Sequence, residues 1–368
     1  MRFAVCAGGT AGHVNPALAV AQELSGRGHE IVFFGTPDHI ESRLAPEAGF
    51  EFVSLDVSGF DKAHPTTLVT SGVKILAASS RARRVMRERH FDAAVTFGAY
   101  VSIPVGLAAT KLGVPLVVHE QNSMPGMANV FLAQRADVTA LTYASSEEHL
   151  DPKHPAIVCG NPVRRDFDDA SRERGRELFG VPDGARLLVV TGGSLGAAHL
   201  NSAVVAMKKR LLSIEDLYVI HSCGPADYDA TCAALALRDK QKGRWQLMPY
   251  IDDMASALAA ADLVISRAGA SSLAEVAAIG VPSVLVPYPY ARADHQTANA
   301  RSLSDAGAAV LVADADLDGP EFTDLVCGLV TDRAKLSEMR EAAAALGASS
   351  ARVRLADLAE EAARGGAS

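Results

Sequence analysis

Two short glycine loops carry the clearest chemical signal in this chain. Gly8-Gly9-Thr10-Ala11-Gly12 follows the apolar run Phe3–Cys6, and Gly192-Gly193-Ser194-Leu195-Gly196 follows Leu187–Thr191. Glycine lets the backbone approach a ligand closely, and the helix N-terminus behind such a loop attracts an anion. The loops begin at positions 8 and 192, half a chain length apart in 368 residues. Either loop alone reads equally well as a tight strand-to-helix turn. A matched pair argues for a repeated binding unit. Neither loop is G-x-G-x-x-G, no G-x-x-x-x-G-K-[ST] is present, and no acid ends Ile31–Phe34 to hold an adenine-side ribose. Dehydrogenase and P-loop NTPase chemistry are therefore disfavoured.

In open α/β sheets, ligands sit beyond the carboxyl ends of the strands. The polar residues expected there form two sets. The first is Thr10, His13, Tyr100, Ser102, Glu120, Gln121 and Asn122; the second is Ser194, the run Arg267 to Glu275, and Asp294, His295, Gln296 and Asn299. A cleft between two lobes would gather both. His13 is either a structural or capping histidine, or a neutral imidazole able to accept a proton near pH 7. Glu275 stands three residues after Ser272, the spacing of a capping box; it could equally accept hydrogen bonds from ribose hydroxyls. Gln296 and Asn299 could read sugar hydroxyls, or could face solvent on a helix that Asp294 caps. Arg164 with Arg165 reads by default as a solvated pair in a linker. Asp314-Ala315-Asp316 has a chelating spacing but leads through Gly319-Pro320 into a terminal helix, away from the other candidates. We expect no catalytic metal and no cofactor, because helix N-termini can stabilise a departing anion unaided.

These residues need a scaffold, and the patterning supplies one. Strand-like runs are Phe3–Cys6, Ile31–Phe34, Ala93–Phe97, Leu116–His119 and Ile157–Cys159 in the first half. The second half has Leu187–Thr191, Tyr218–His221, Trp245–Met248, Leu263–Ser266, Ser283–Val286 and Ala309–Val312. Helical stretches such as Val14–Arg27 and Leu200–Leu212 lie between them. Such alternation predicts parallel sheets covered by helices. We expect an α/β protein of two Rossmann-like doubly wound domains: residues 1–163, residues 164–345, and a terminal helix within 346–368 that packs back on the first domain. The 49% hydrophobic content suffices for two cores. A net charge of −8 disfavours nucleic acid as a partner. The five cysteines show no C-x-x-C pair or zinc spacing and read as buried reduced thiols. The N-terminus reads as a first strand, and no apolar run approaches the roughly 18 residues of a membrane span.

The ordered motifs resemble the MurG family of bacterial N-acetylglucosaminyltransferases. The likeness runs from Gly8–Ala17 through Gly98-Ala99-Tyr100-Val101-Ser102, His119-Glu120-Gln121-Asn122, Gly160–Arg164, Gly192–Ala197 and Tyr250–Met254. It continues through Arg267–Glu275 to Asp294–Ala300. The resemblance implies a GT-B fold, two Rossmann-like domains facing across a cleft. It implies UDP-N-acetylglucosamine as donor and undecaprenyl-diphospho-N-acetylmuramoyl-pentapeptide as acceptor, joined by an inverting β-1,4 transfer in peptidoglycan biosynthesis. By similarity Thr10, Ala11, Gly12, Asn122, Arg164, Ser194, Ile251, Ala270, Ser271, Ser272, Leu273, Ala274, Glu275 and Gln296 would bind the donor. Ile251 would meet uracil through its backbone and Glu275 the ribose, while His13 would lie near the acceptor hydroxyl as the general base. The family commonly has two glycines where this chain has Gly98-Ala99, and some relatives have two glutamines at His295-Gln296. A UDP-N-acetylglucosamine 2-epimerase or another GT-B glycolipid transferase is the alternative.

An acceptor with a polyprenyl tail also implies work at a bilayer. The segment Leu68 to Arg89 suits an anionic surface on the cytoplasmic face of the cell membrane. It offers Leu68, Val69, Val73, Ile75, Leu76 and Ala77 with Lys74, Arg81, Arg83, Arg84, Arg87 and Arg89, and no acid before Glu88. At helical spacing Leu68, Val69, Val73 and Leu76 share a face, which either meets lipid or packs on the domain core.

Overall fold

The computed structural model describes residues 1–58, 66–193, 196–346 and 350–365, with the side chains of 66–69 and 292 excepted. Ser194, one of the sequence candidates, lies outside the described residues, as do the side chains of Leu68 and Val69. The chain divides into two compact units. One comprises residues 1–164 with 349–368, the other residues 165–348.

The first unit is built on a seven-stranded sheet. Its strands are β1 (Arg2–Cys6), β2 (Glu30–Gly35), β3 (Glu51–Ser54), β4 (Ala93–Thr96), β5 (Leu116–Glu120), β6 (Val138–Leu141) and β7 (Ile157–Val158). Their order is β3-β2-β1-β4-β5-β6-β7, and adjacent strands are parallel throughout. The central strands are buried on both faces, so β4 and β5 carry nearly unbroken apolar runs. One core layer joins Phe3, Val5, Val95 and Val117 to the helix Ala11–Gly26. The other joins Ala4, Val32, Ala94 and Val118 to the helices Thr66–Arg89 and Ser102–Leu112 through Ala82, Met86, Val105 and Ala109.

Two strands were not legible in the sequence. β3 sits at the sheet edge with only Val53 buried, so its composition is mixed. β6 has four residues, one of them Thr139, too few to show a period. The C-terminal helix Ala351–Gly365 packs within this first unit. Leu355, Ala356, Leu358 and Ala359 enter its core beside the helix Ala11–Gly26. Polar contacts border that seam: Arg27 reaches Asp357 at 2.7 Å, and Arg352 reaches Glu23 and the Val163 carbonyl, each at 3.1 Å.

The second unit repeats the plan with β8 (Arg186–Thr191), β9 (Leu217–Ser222), β10 (Trp245–Met248), β11 (Leu263–Arg267), β12 (Ser283–Val286) and β13 (Ala309–Leu311). Their order is β10-β9-β8-β11-β12-β13, again all parallel. The predicted helix Leu200–Leu212 is two helices, Ala198–Ala206 and Lys208–Ser213, broken at Met207, where ψ is −9°. Met207 is buried in the core, so packing holds the break that periodicity does not show. All five cysteines are free; Cys6 and Cys223 are buried, but Cys232 is exposed, contrary to a uniform reading as buried thiols.

Candidate active site

Each sheet reverses its winding beside its first strand, between β1 and β4 in the first unit and between β8 and β11 in the second. A doubly wound sheet opens a crevice at that point, beyond the carboxyl ends of the strands. Both glycine loops lie there.

In the first unit, β1 runs into the loop and then the helix Ala11–Gly26, with Thr10 at its N-cap. Thr10 caps no backbone N–H; its Oγ1 lies 3.3 Å from His13 Nδ1. A fully buried carboxylate supports the loop from below. Glu41 accepts from Gly9 N at 3.3 Å, from Thr36 N at 3.0 Å and from the Thr36 hydroxyl. A Cβ on Gly8 would lie 2.8 Å from Glu41 Oε1, so this glycine is a packing necessity. Glu41 thus occupies one amide of this loop and places negative charge under it, an unfavourable arrangement for a diphosphate.

His13 stands beside the loop that follows β4. A Cβ on Gly98 would lie 3.2 Å from His13 Cδ2 and 3.3 Å from Asn129 Nδ2, and Gly98 has φ +89°. Glycine at this position therefore lets both side chains close over the backbone. His13 is half-buried, and loss of solvation holds its pKa down to about 4, although Glu41 pulls it upward. It is a neutral imidazole at physiological pH. At the end of β5, Glu120 is buried and accepts from Asn122 N (2.9 Å), Asn122 Nδ2 (3.4 Å), Gly126 N (3.1 Å) and Asn129 Nδ2 (2.8 Å). Burial holds this carboxyl above the ordinary carboxylate range, against the smaller downward pull of its donors. All four contacts come from donors, so the carboxylate is the form that fits. His119 is held down to about 4 by burial and donates through Nε2 to the Gly160 carbonyl at 2.9 Å, joining the end of β5 to the segment leading to Arg164.

In the second unit, Gly192 and Gly196 make the turn possible. A Cβ on Gly192 would lie 2.5 Å from Ala197 N, and one on Gly196 2.3 Å from the Cys223 carbonyl. Among the described residues no carboxylate accepts from this loop; Gly193 N donates to Thr191 Oγ1 at 3.1 Å. The crevice continues across β11 into the helix Ala270–Ile279. Its N-cap is Gly269, with no side-chain cap and no acid in the first turn, so its amide end carries positive potential. After β12, Gln296 Oε1 accepts from Tyr288 N at 2.9 Å, and Arg267 donates to the Pro287 carbonyl at 3.1 Å. Asp314 holds Arg267 at 2.6 Å and His199 at 2.7 Å.

Several expectations are corrected by this geometry. The capping-box reading of Ser272 and Glu275 fails, because the helix begins two residues before Ser272. The solvent-facing reading of Gln296 and Asn299 fails, because Gln296 pins the loop after β12 and Asn299 is buried. Asp294 sits at the N-cap but accepts from the Thr297 hydroxyl at 2.7 Å, with no cap to the backbone. Asp314 serves Arg267 and His199, which leaves the D-x-D spacing a structural explanation.

Comparison with known proteins matches this arrangement. Residues 3–141 match the glycosyltransferase family 28 N-terminal domain and residues 187–357 the family 28 C-terminal domain. The chain is 37% identical to the Halothermothrix orenii UDP-N-acetylglucosamine–N-acetylmuramyl-(pentapeptide) pyrophosphoryl-undecaprenol N-acetylglucosamine transferase, over 99% of this chain and 100% of that one. It is 36% identical to the Acetivibrio thermocellus protein of the same name, over 97% of each. The crystal structure of Acinetobacter baumannii MurG superposes with a TM-score of 0.77 at 34% identity, covering 98% of this chain and 99% of that one. The chain belongs to the MurG family. Its fold is accordingly GT-B.

Within this MurG-family chain the candidate residues fall into separate groups. Thr10, Ala11, Gly12 and His13 begin the helix after β1, Asn122 follows β5, and half-buried Arg164 closes the first unit. Ile251 follows β10, Ala270 to Glu275 form the first turns of one helix, and Gln296 follows β12. Ile251, Ala270 and Leu273 are buried, so their backbones are what they can offer a ligand. Sequence reading missed Glu41 and Asn129, and weighed Asp314 only as part of a chelating D-x-D spacing. No spacing marks Glu41 or Asn129, and that of Asp314 points elsewhere, because their partners are brought to them only by the fold.

Ala99, in place of the family's second glycine, has φ +62°. A Cβ in the left-handed region costs about 1–2 kcal/mol, partly offset by the entropy glycine loses on folding. Ala99→Gly is expected to stabilise the protein by about 1 kcal/mol, raising Tm by roughly 2–4 °C. A calorimetric scan showing a lower Tm would contradict the strain.

Proposed function

We propose that this chain transfers N-acetylglucosamine from UDP-N-acetylglucosamine to the C4 hydroxyl of undecaprenyl-diphospho-N-acetylmuramoyl-pentapeptide, with inversion at the anomeric carbon. The observation that carries the proposal is full-length similarity, across both units, to enzymes named for this transfer. The two crevices support a division of labour. The second unit's loop, free of a described carboxylate partner, and the amide end of the helix Ala270–Ile279 suit the UDP diphosphate. The first unit's loop, underlain by Glu41, suits the acceptor's sugar hydroxyl and its base, and neither diphosphate.

His13 acts as the base. With Nδ1–H donating to Thr10 Oγ1, Nε2 keeps its lone pair for the attacking hydroxyl proton. As that proton arrives, the Glu41 charge favours the imidazolium. Donor recognition uses Ser194, the Ile251 backbone toward uracil, Ala270 to Glu275 and Gln296. Thr10, Ala11 and Gly12 complete the donor set at its sugar, away from the diphosphate, together with Asn122 and Arg164, and Arg164 with the amide end of the helix Ala270–Ile279 stabilises departing UDP.

The test is an assay with UDP-N-acetylglucosamine and a short-chain lipid acceptor analogue, with and without EDTA. UDP release that requires the acceptor and survives EDTA is expected. Epimerisation without acceptor, or activity lost to EDTA and restored by Mn²⁺, would overturn the proposal or its metal-free step respectively. Glu275→Ala is expected to raise the donor KM roughly 10- to 150-fold, from about 1.5–3 kcal/mol for a hydrogen bond to a charged group. The acceptor KM should hold, since the proposed contact is to the donor ribose. An unchanged donor KM would remove it from the site.

The enzyme works peripherally at the cytoplasmic membrane face through the helix Thr66–Arg89. Among the described residues no helix is long and apolar enough to cross a membrane. That helix buries Ser71, Ala78, Ala82 and Met86, while Val73 and Leu76 remain 62% and 68% exposed. The described part of the apolar face therefore lies away from the core. Arg81, Arg84 and Arg87 are exposed farther along. Basic side chains near an anionic leaflet contribute about 1 kcal/mol each. Arg81→Glu, Arg83→Glu and Arg84→Glu together should weaken binding to anionic vesicles and slow transfer to a long-chain acceptor, while sparing a soluble one. Equal loss with both acceptors would refute the docking role.

A further inference from the structure

The second unit contains a cavity of about 490 Å³ at the amino ends of β8 and β11, the opposite end of the sheet from the glycine loop. β8 spans six residues, about 20 Å, between the two. Arg172, Arg176, Arg186, Arg333 and Arg340 line this cavity against the acids Glu173, Asp183 and Asp262.

The charges do not balance locally. Arg186 is paired with Asp216, outside the lining. Asp262 takes Arg172 at 2.6 Å and Leu187 N at 2.8 Å, and lies 3.9 Å from Arg176. Arg333 and Arg340 pair with no carboxylate among the described residues. Backbone carbonyls hold the guanidiniums instead. Arg172 donates to Ala260 and Ala261 at 3.1 and 3.2 Å, Arg176 to Ala185 at 3.1 Å, and Arg340 to Ala261 at 3.1 Å. Burial, and then the nearby Arg172 charge, push Arg176 and Arg340 down from the ordinary arginine value.

Capping the carbonyl end of the helix Met254–Ala260 explains one edge of Arg172 and of Arg340. It does not explain four guanidiniums around one open cavity, of which only Arg172 has a close carboxylate and Arg176 lies 3.9 Å from that same group. Arginine forks match phosphate oxygens bidentately, and the volume falls within the roughly 300–1,000 Å³ of small-molecule sites. We infer that this cavity binds a small soluble polyanion carrying a di- or triphosphate group, at a site distinct from the crevice at the glycine loop. The inference does not rest on the proposed transfer reaction.

The test is calorimetric titration of the full chain with inorganic tripolyphosphate, with UDP present to occupy the nucleotide crevice. One saturable site per chain is expected. Arg333→Glu, at an exposed position, and Arg340→Gln should each weaken it about tenfold or more, the scale of one charged hydrogen bond. Arg333→Lys should retain most of the affinity. In phosphate-free buffer Arg340→Gln should melt no earlier than the parent, since Arg172 still serves the Ala261 carbonyl and one cation is relieved. Tripolyphosphate should raise the parent's Tm more than that of either variant. Absence of saturable binding in the millimolar range, or unchanged affinity in Arg333→Glu, overturns the site. Should Arg340→Gln fail to fold, Arg333→Glu decides alone.

Discussion

Replacing His13 by alanine is expected to lower kcat by roughly 10²- to 10⁴-fold, the range of general acid–base catalysis, while UDP still binds. The loss should fall on kcat because His13 belongs to the first unit, whereas the candidate uracil and ribose contacts, Ile251 and Glu275, belong to the second. The pH dependence follows from its pKa of about 4 in the folded chain, below the ordinary histidine range. The free-enzyme acid limb assigned to His13 should therefore lie near pH 4, with no inflection from this group between pH 6 and 8. A group whose folded pKa is lowered gains a proton less readily folded than unfolded. As pH falls below the unfolded histidine value of about 6.5, His13 thus progressively costs stability, most of it by pH 4. Near-normal kcat in folded His13→Ala would exclude it from the mechanism.

Glu120→Ala is expected to cost about 3–5 kcal/mol of stability, the largest structural effect predicted for this chain. The substitution leaves Asn122 N, Gly126 N and Asn129 Nδ2 without their acceptor in a buried place. Glu120→Gln should also be damaging despite its shape. Oε1 faces the two donors of Asn122, and Oε2 faces Gly126 N and Asn129 Nδ2. Either oxygen turned into an amide would meet two N–H groups. Asn129 flanks Gly98 opposite His13, so a folded Glu120 variant should also lose activity. Urea denaturation measures the first effect. A loss below about 1 kcal/mol for Glu120→Ala would mean that water replaces the carboxylate, and that this network does not hold the site.

The strand-bearing runs were legible because parallel strands buried on both faces must be apolar nearly throughout, as in Leu187–Thr191 and Ser283–Val286. The glycine loops were legible for a related reason: turning from strand into helix over a crevice excludes a Cβ, and Gly8, Gly192 and Gly196 each meet a neighbour below 3 Å if given one. The ordered motifs carried the family. Helix ends were less legible. Ser272 and Glu275 had capping spacing, yet Gly269 begins the helix, because the chain leaves β11 already positioned to turn.

The sequence by itself determined two parallel α/β units, their order, and the residue types at the strand ends. Local patterns encode those features, since period, turn chemistry and spacing act over a few residues. Tertiary structure alone decided which polar groups are coupled. Glu41 supports a loop 32 residues earlier, Asp314 steadies Arg267 across 47 residues, and Glu23 meets Arg352 across 329. It also decided that His13 is desolvated, that Gln296 holds a backbone amide, and that four arginines from two helices line one cavity. Burial and electrostatic coupling depend on distance in space, and the chain brings these residues together only when the sheets form.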